Sequence, residues 1–266
     1  EPFLNYADGP ITPVMEELPA GVEAISARSA SERRAMFEDP AYRARFRAQW
    51  TATGDRVFHR RLDDMYIERL PDGSMQGKSL AELARARGRD PVECFLDLLA
   101  EHDVGLRWRS VAANDRAAQR RYILSHPCTI PGFNDSGAHL RNMAFHDGAL
   151  QMLRQAVETP DWISPEQAVH RLTRETAQWF GLPGGLLERG AVADLVVLDP
   201  ARLPDGLGGP REHRSDLYGA QSVLVKRSDA VIDAVMVRGK VAYQAGQFDP
   251  ALGQERCFGR LLRASA

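Results

Sequence analysis

The chain has 266 residues, a formal net charge of −2 and 44% hydrophobic residues, which at roughly 150 residues per domain allows one large domain or one with a smaller companion. Near-neutral charge argues against general affinity for nucleic acid or an anionic membrane surface, and no run of about 18 apolar residues is present to span a bilayer. Three widely spaced cysteines, Cys94, Cys128 and Cys257, make neither a disulfide framework nor a zinc knuckle, so a reducing, cytoplasmic setting is expected. The chain begins Glu1-Pro2-Phe3 rather than with Met, and is expected to be a piece of a longer protein.

Residues 1–25 hold short apolar pieces broken by Gly9-Pro10, Pro13 and Pro19, which reads as loop or strand-end chemistry. Ser29-Ala30-Ser31-Glu32 has the capping-box spacing of a helix start, and Asp39-Pro40 starts a second helix with Pro at its first position. Tyr42, Phe46 and Trp50 then fall on one helical stripe, with the arginines between Arg28 and Arg61 mostly on the solvated face. Ser79 to Glu82 opens a further capped helix, stopped by Gly88. Asp90-Pro91 opens the next, with Phe95, Leu98 and Leu99 on its apolar side and His102 near its C-terminal dipole.

A strand candidate from Leu106 to Ala112, a helix from Asp115 to about Leu124 and an apolar run at Thr129–Gly132 have the size of a βαβ unit with parallel strands. Ser164-Pro165-Glu166-Gln167 starts a strongly specified helix, with Val169, Leu172, Thr176, Trp179 and Phe180 expected on its buried side and Gly181 ending it. From about Leu186 the pattern becomes period two. Ala193–Leu198 and Val231–Val237 read as strands, Arg238-Gly239 as a two-residue hairpin turn, and Val241–Tyr243 as the return strand. Pro204–Gly219 reads as a long loop. Residues 1–185 and 186–266 thus look like two modules, the first helical α/β and the second β-rich.

The segment Gly132-Phe133-Asn134-Asp135-Ser136-Gly137-Ala138-His139 concentrates the candidate chemistry. Asp135 follows the apolar run, where loops after parallel strands carry catalytic groups, although Asn, Asp and Ser also cap turns through their own backbone. His139 could act as ligand, proton carrier or hydrogen-bond donor, and His146-Asp147 adds a second pair. Arg141 could grip a substrate carboxylate through its fork, and a surface ion pair is the plainer reading. Ser136 lacks the Gly-x-Ser-x-Gly elbow of a nucleophile, Cys128 fits a packing role, and neither His-x-His nor His-Glu-x-x-His occurs.

The order of features resembles the C-terminal half of an amidohydrolase-superfamily enzyme, in the branch of N-acyl-D-amino-acid deacylases. Gly132–His139 is similar to that branch's Gly-x-Ser-Asp-x-Gly-Ala-His. Leu172-Thr173-Arg174-Glu175-Thr176-Ala177 through Leu182, Ala193–Pro200, the hairpin from Val235 to Gly246 and Gly259–Arg263 resemble its later motifs. The resemblance implies an α/β fold: over 1–185 the C-terminal part of a (β/α)8 TIM-type barrel with a helical insertion, and over 186–266 a portion of a small composite β-sandwich.

It also implies a zinc-dependent hydrolase of small-molecule N-acyl amino acids, with one or two ions. Asp135 would be general base and near the metal, His139 a loop histidine of that site, and Asn134, Ser136 and Arg141 substrate-side residues. Homo-oligomerisation stays open. The branch's His-x-His, middle-strand histidines and bridging Cys or Lys have no match here, Asn134 stands where the branch has Ser, and Thr176 where it has Pro. Most metal ligands are therefore expected outside this chain, which alone would be inactive. Two other readings stand beside this one: an amidohydrolase of cyclic amides, and a non-catalytic structural or oligomerisation remnant.

Overall fold

The computed structural model describes residues 3–9, 12–111, 114–132, 134, 137 and 139–263, with the backbone alone at Tyr218. They form an α/β chain that divides into two compact units. One comprises Glu1–Asp115 with His139–Met143, and the other Arg116–Ala138 with Ala144–Ala266.

In the first unit β1 (Phe3–Asn5) is followed by two short helices, α1 (Pro13–Glu16) and α2 (Pro19–Ile25), where loop chemistry was expected. Pro takes the first position of each, where its missing N–H costs nothing. Gly21 is required there: a Cβ would lie 2.1 Å from the Met15 carbonyl oxygen. In α3 (Ala30–Glu38) the Ser29 hydroxyl accepts from the Glu32 N–H, while the Glu32 carboxylate accepts from the Arg28 N–H, one residue earlier than a full box would place it. Asp39 caps α4 (Pro40–Thr51) by accepting from the N–H groups of Ala41 and Tyr42. After β2 (Met65–Arg69), α5 (Leu80–Arg87) has the expected reciprocal Ser79–Glu82 box and ends at Gly88 with φ +61°. Next come α6 (Pro91–His102) and β3 (Arg107–Ser110). The sheet order is β1-β3-β2, antiparallel throughout. Tyr42, Phe46 and Trp50 are buried as the stripe predicts, and the ring series continues through Phe95 to Trp108 of β3.

The second unit opens with α7 (Ala117–Ser125). Residues 129–132 form no strand, and β3 pairs only antiparallel among the described residues, so the expected parallel βαβ unit is not formed. Local bonds explain this. The Thr129 hydroxyl donates to the carbonyls of Ile123 (2.6 Å) and His126 (2.9 Å), its carbonyl accepts from the Arg171 guanidinium, and Pro131 has no N–H to give a ladder.

Next are α8 (Gly148–Glu158) and α9 (Pro165–His170), the latter with the reciprocal Ser164–Gln167 box. A π-helical turn (Arg171–Glu175) then joins α9 to α10 (Thr176–Trp179). The wider turn shifts the helical register. Ala168 and Arg171 are buried, while Val169, Trp179 and Phe180, expected inside, are exposed.

β4 (Leu195–Leu198) is followed by α11 (Leu203–Gly206), then β5 (Arg211–Ser215) and β6 (Gln221–Val225), an antiparallel hairpin where a long loop was expected. Last are β7 (Ile232–Val237), β8 (Lys240–Gln244) and β9 (Gln247–Phe248), in the antiparallel order β4-β7-β8-β9. The turn joining β7 to β8 has positive φ at both Arg238 (+51°) and Gly239 (+76°), as a primed hairpin turn requires.

Candidate active site

Of the segment singled out by sequence, Asp135 and Ser136 lie outside the described residues, whereas Asn134, His139 and Arg141 lie within them. His139 and Arg141 belong to the first unit, and Asn134 to the second.

In the first unit His139–Met143 is tied to β1 through the backbone. The Leu4 N–H donates to the Asn142 carbonyl at 2.9 Å, and the Asn142 side chain returns a bond to the Leu4 carbonyl at 2.9 Å. The His139 carbonyl accepts from the N–H groups of Asn142 and Met143, closing a turn that fixes the backbone after the histidine. Arg141 is not an open carboxylate grip. Its Nη2 donates to Asp8 Oδ1 at 2.7 Å, and its guanidinium lies 3.8 Å from the centroid of the Tyr6 ring. The Tyr6 hydroxyl donates to the Arg141 carbonyl at 3.2 Å. The ion pair read as the plainer alternative is therefore the one formed, and a substrate carboxylate would have to compete with Asp8 for the fork.

In the second unit Asn134 lies beside the start of α8: a Cβ added to Gly148 would be 3.6 Å from Asn134 Nδ2. The residue before Gly148, Asp147, is the N-cap of α8, yet its carboxylate caps no backbone N–H. It pairs instead with Lys226, Nζ to Oδ2 at 2.9 Å, with both side chains only 5% exposed. Gln151 Nε2 donates to the same oxygen at 2.7 Å. Asp147 Oδ1 is buried with no partner among the described residues. The His146-Asp147 pair drew notice in the sequence, but Lys226 did not. It follows an apolar strand run, where alternation alone does not mark a lysine as buried. A weak signal existed in composition: the chain has only three lysines, Lys78, Lys226 and Lys240, among 34 Lys and Arg.

The same unit carries a cleft of about 570 Å³ lined by Ser125, Pro127, Trp162, His170, Arg171 and Glu175, among others. Its most basic wall residue is already committed. Arg171 donates to the carbonyls of Leu124, His126 and Thr129, and pairs with Glu175 at 3.2 Å. The Arg171 fork thus holds the turn from Leu124 to Thr129.

The resemblance implies zinc. Among the described residues no group of three or more His, Cys, Asp and Glu side chains could hold a metal ion. These residues do not fit a zinc site, and no chemical step is assigned to an ion held by them.

No family model matches the chain. An uncharacterized protein of Mycobacterium tuberculosis is 38% identical over 274 residues, covering 99% of this chain and 45% of its own length. An N-acyl-D-aspartate deacylase of Alcaligenes xylosoxydans is 32% identical over 130 residues, 45% of this chain and 25% of that enzyme. The chain spans about half the length, or less, of the curated relatives it matches. A solved N-acyl-D-glutamate deacylase from Bordetella bronchiseptica, complexed with zinc and a phosphonate inhibitor, aligns at a TM-score of 0.40 with 22% identity, over 71% of this chain and 36% of its own.

Proposed function

We propose that this chain is the C-terminal half of a metal-dependent amidohydrolase that cleaves the amide bond of N-acyl-D-amino acids. The observation that carries the reading is the 32% identity over 130 residues to an N-acyl-D-aspartate deacylase. The run from Gly132 to His139, similar to that branch's loop pattern, adds support. In the proposal the barrel's metal ligands belong to the other half of the longer protein. Zinc would polarise the amide carbonyl there. Asp135 is the general base. Its carboxylate takes a proton from the attacking water and delivers it to the leaving amine nitrogen, so that amide and water become carboxylate and amine. The resemblance would give His139 the role of a loop histidine and Asn134, Ser136 and Arg141 substrate-side roles.

The experiment is an assay of the full-length protein, loaded with zinc, on N-acyl-D- and N-acyl-L-amino acids and on cyclic amides. Hydrolysis of an N-acyl-D-amino acid is expected. Asp135→Asn should lower kcat by about 10²- to 10⁴-fold, with zinc content by elemental analysis unchanged. Turnover of cyclic amides alone would move the protein to another branch. No turnover of any substrate would leave the structural-remnant reading in its place.

A further inference from the structure

Two of the arginine–aspartate pairs in the first unit are built differently. Arg33 and Asp103 meet through two prongs at 2.6 and 2.7 Å, with side chains 7% and 14% exposed. Arg141 and Asp8 meet through one. Arg141 Nη2 donates to Asp8 Oδ1 at 2.7 Å, while Nη1 turns to the Asp8 backbone carbonyl at 3.4 Å. Both side chains reach solvent, at 37% and 34% exposure. A planar guanidinium fork binds a carboxylate best through two parallel N–H···O bonds. Asp8 therefore fills the Arg141 fork with less than the fork can hold.

The frame around this pair is anchored on both sides. Leu4 exchanges two hydrogen bonds with Asn142, the residue after Arg141, and the Gly9 N–H donates to the Ile25 carbonyl at 3.1 Å. Tyr6 is 1% exposed, and its hydroxyl donates to the Arg141 carbonyl at 3.2 Å. The Arg141 and Arg107 guanidinium carbons lie 3.8 and 4.2 Å from the centroid of the Tyr6 ring. The ring holds the Arg141 guanidinium by its face, which leaves the N–H edge for an anion. To vacate that edge Asp8 needs only a turn of its half-exposed side chain, with the backbone left in place.

We propose that Asp8 is a resident competitor for the substrate's carboxylate at the Arg141 fork. The inference rests on the hydrolase reading above, in which Arg141 is a substrate-side residue. The carboxylate of an N-acyl amino acid takes both prongs, and Asp8 turns out into water. A neutral group gains less from the fork than the carboxylate it would expel, so the fork opens to an anion. Asp8 thereby weakens the binding of the ligand that the fork admits.

The test is steady-state kinetics of the full-length, zinc-loaded protein on the N-acyl-D-amino acid it hydrolyses. Asp8→Asn and Asp8→Ala should each lower KM by about two- to fivefold, the range that a half-exposed ion pair can supply, with kcat little changed. Arg141→Met should raise KM by about 10- to 100-fold, and adding Asp8→Asn to it should then change nothing further. If Asp8 instead serves to hold Arg141 in place, removing its charge raises KM. An active parent whose Asp8 variants show an unchanged or raised KM therefore overturns the competitor role alone. So does a fall in KM that persists without Arg141, since Asp8 would then act elsewhere. A parent without hydrolytic activity overturns the functional reading, and this role with it.

Discussion

The two units close by different physics. The unit of Glu1–Asp115 and His139–Met143 closes on rings: Phe37, Tyr42, Phe46, Trp50, Phe95 and Trp108 form one buried series within a single large cluster. The buried cluster that joins α8 and α9 in the other unit is small, Met152, Ala156, Ile163 and Ala168, with Leu124, Leu153 and Leu172 packed against it. Polar clamps do much of the holding there, the Arg171 fork on three carbonyls and the Lys226–Asp147 pair. Exposed large apolar side chains follow the same division. Four of them in the described residues lie in the first unit and thirteen in the second, which decides where apolar truncation should matter. Burial is non-directional and tolerates small shifts, whereas hydrogen-bonded clamps fix geometry. The segment that carries Asp135 is counted with the clamped unit.

The contrast is sharpest at a single residue type. Trp50 is 5% exposed, stacked on Phe46 at 5.7 Å and tilted against Phe95 at 5.9 Å. Trp50→Ala removes a full aromatic side chain from a packed core and should cost about 3–5 kcal/mol. Denaturant unfolding of the full-length protein checks this, and a loss under 1 kcal/mol would mean the ring series is not what holds the first unit.

A charged pair inside the ring-built unit gives the next largest effect. Arg33 and Asp103 meet in a two-pronged ion pair at 2.6 and 2.7 Å, with side chains 7% and 14% exposed. Burial alone would raise the Asp103 carboxyl, but the Arg33 hydrogen bonds, the Val104 N–H and the Arg33 charge together outweigh it and hold the group below its usual range. Its folded value is thus lower than the unfolded value of about 3.9. The pair's contribution is therefore fully present above about pH 4 and is lost as pH falls through the lower folded value. Arg33→Met leaves the carboxylate buried without its cation and should cost about 3 kcal/mol at pH 7. The gap between parent and variant should begin to narrow as pH falls toward about 4, because without Arg33 burial lets the lone carboxyl take its proton sooner, and go on narrowing down to the parent's lower folded value. A gap that stays constant from pH 7 to pH 3 would remove electrostatics from the explanation.

Helix starts were legible in the sequence because their signals are local. Ser29, Asp39, Ser79, Asp90 and Ser164 each cap where the residue pattern placed them, and the Arg238-Gly239 turn needs only two positive φ values that two adjacent residues can advertise. One failure depended on a partner distant in the chain, and two on neighbouring structure that the residue pattern did not show. The strand expected at Thr129–Gly132 was undone by Arg171, and the loop expected over Pro204–Gly219 contains β5, whose partner β6 lies beyond it. The apolar face expected at Val169, Trp179 and Phe180 assumed 3.6 residues per turn through a stretch that contains a π turn. For the candidate site, the sequence drew attention to Asn134, His139 and Arg141 but could not show that Asp8 occupies the Arg141 fork. Nor could it show that Lys226 meets Asp147, since both contacts join residues far apart in the chain.

The same substitution in the clamped unit should be the mildest. Trp179 ends α10 and is 73% exposed, so Trp179→Ala removes only about a quarter of the burial that a core tryptophan would lose. At about 25 cal/mol per Å² and roughly 150–250 Å² for an aromatic side chain, that is on the order of 1 kcal/mol. Ala's better helix propensity returns about half of it. The expected loss is therefore about 0.5 kcal/mol, far below that for Trp50→Ala, when both are measured by denaturant unfolding in the full-length protein. A loss near 3 kcal/mol would mean that Trp179 is covered by a part of the longer protein. The clamped unit would then be ring-built as well, with its rings closed by a surface from outside this chain.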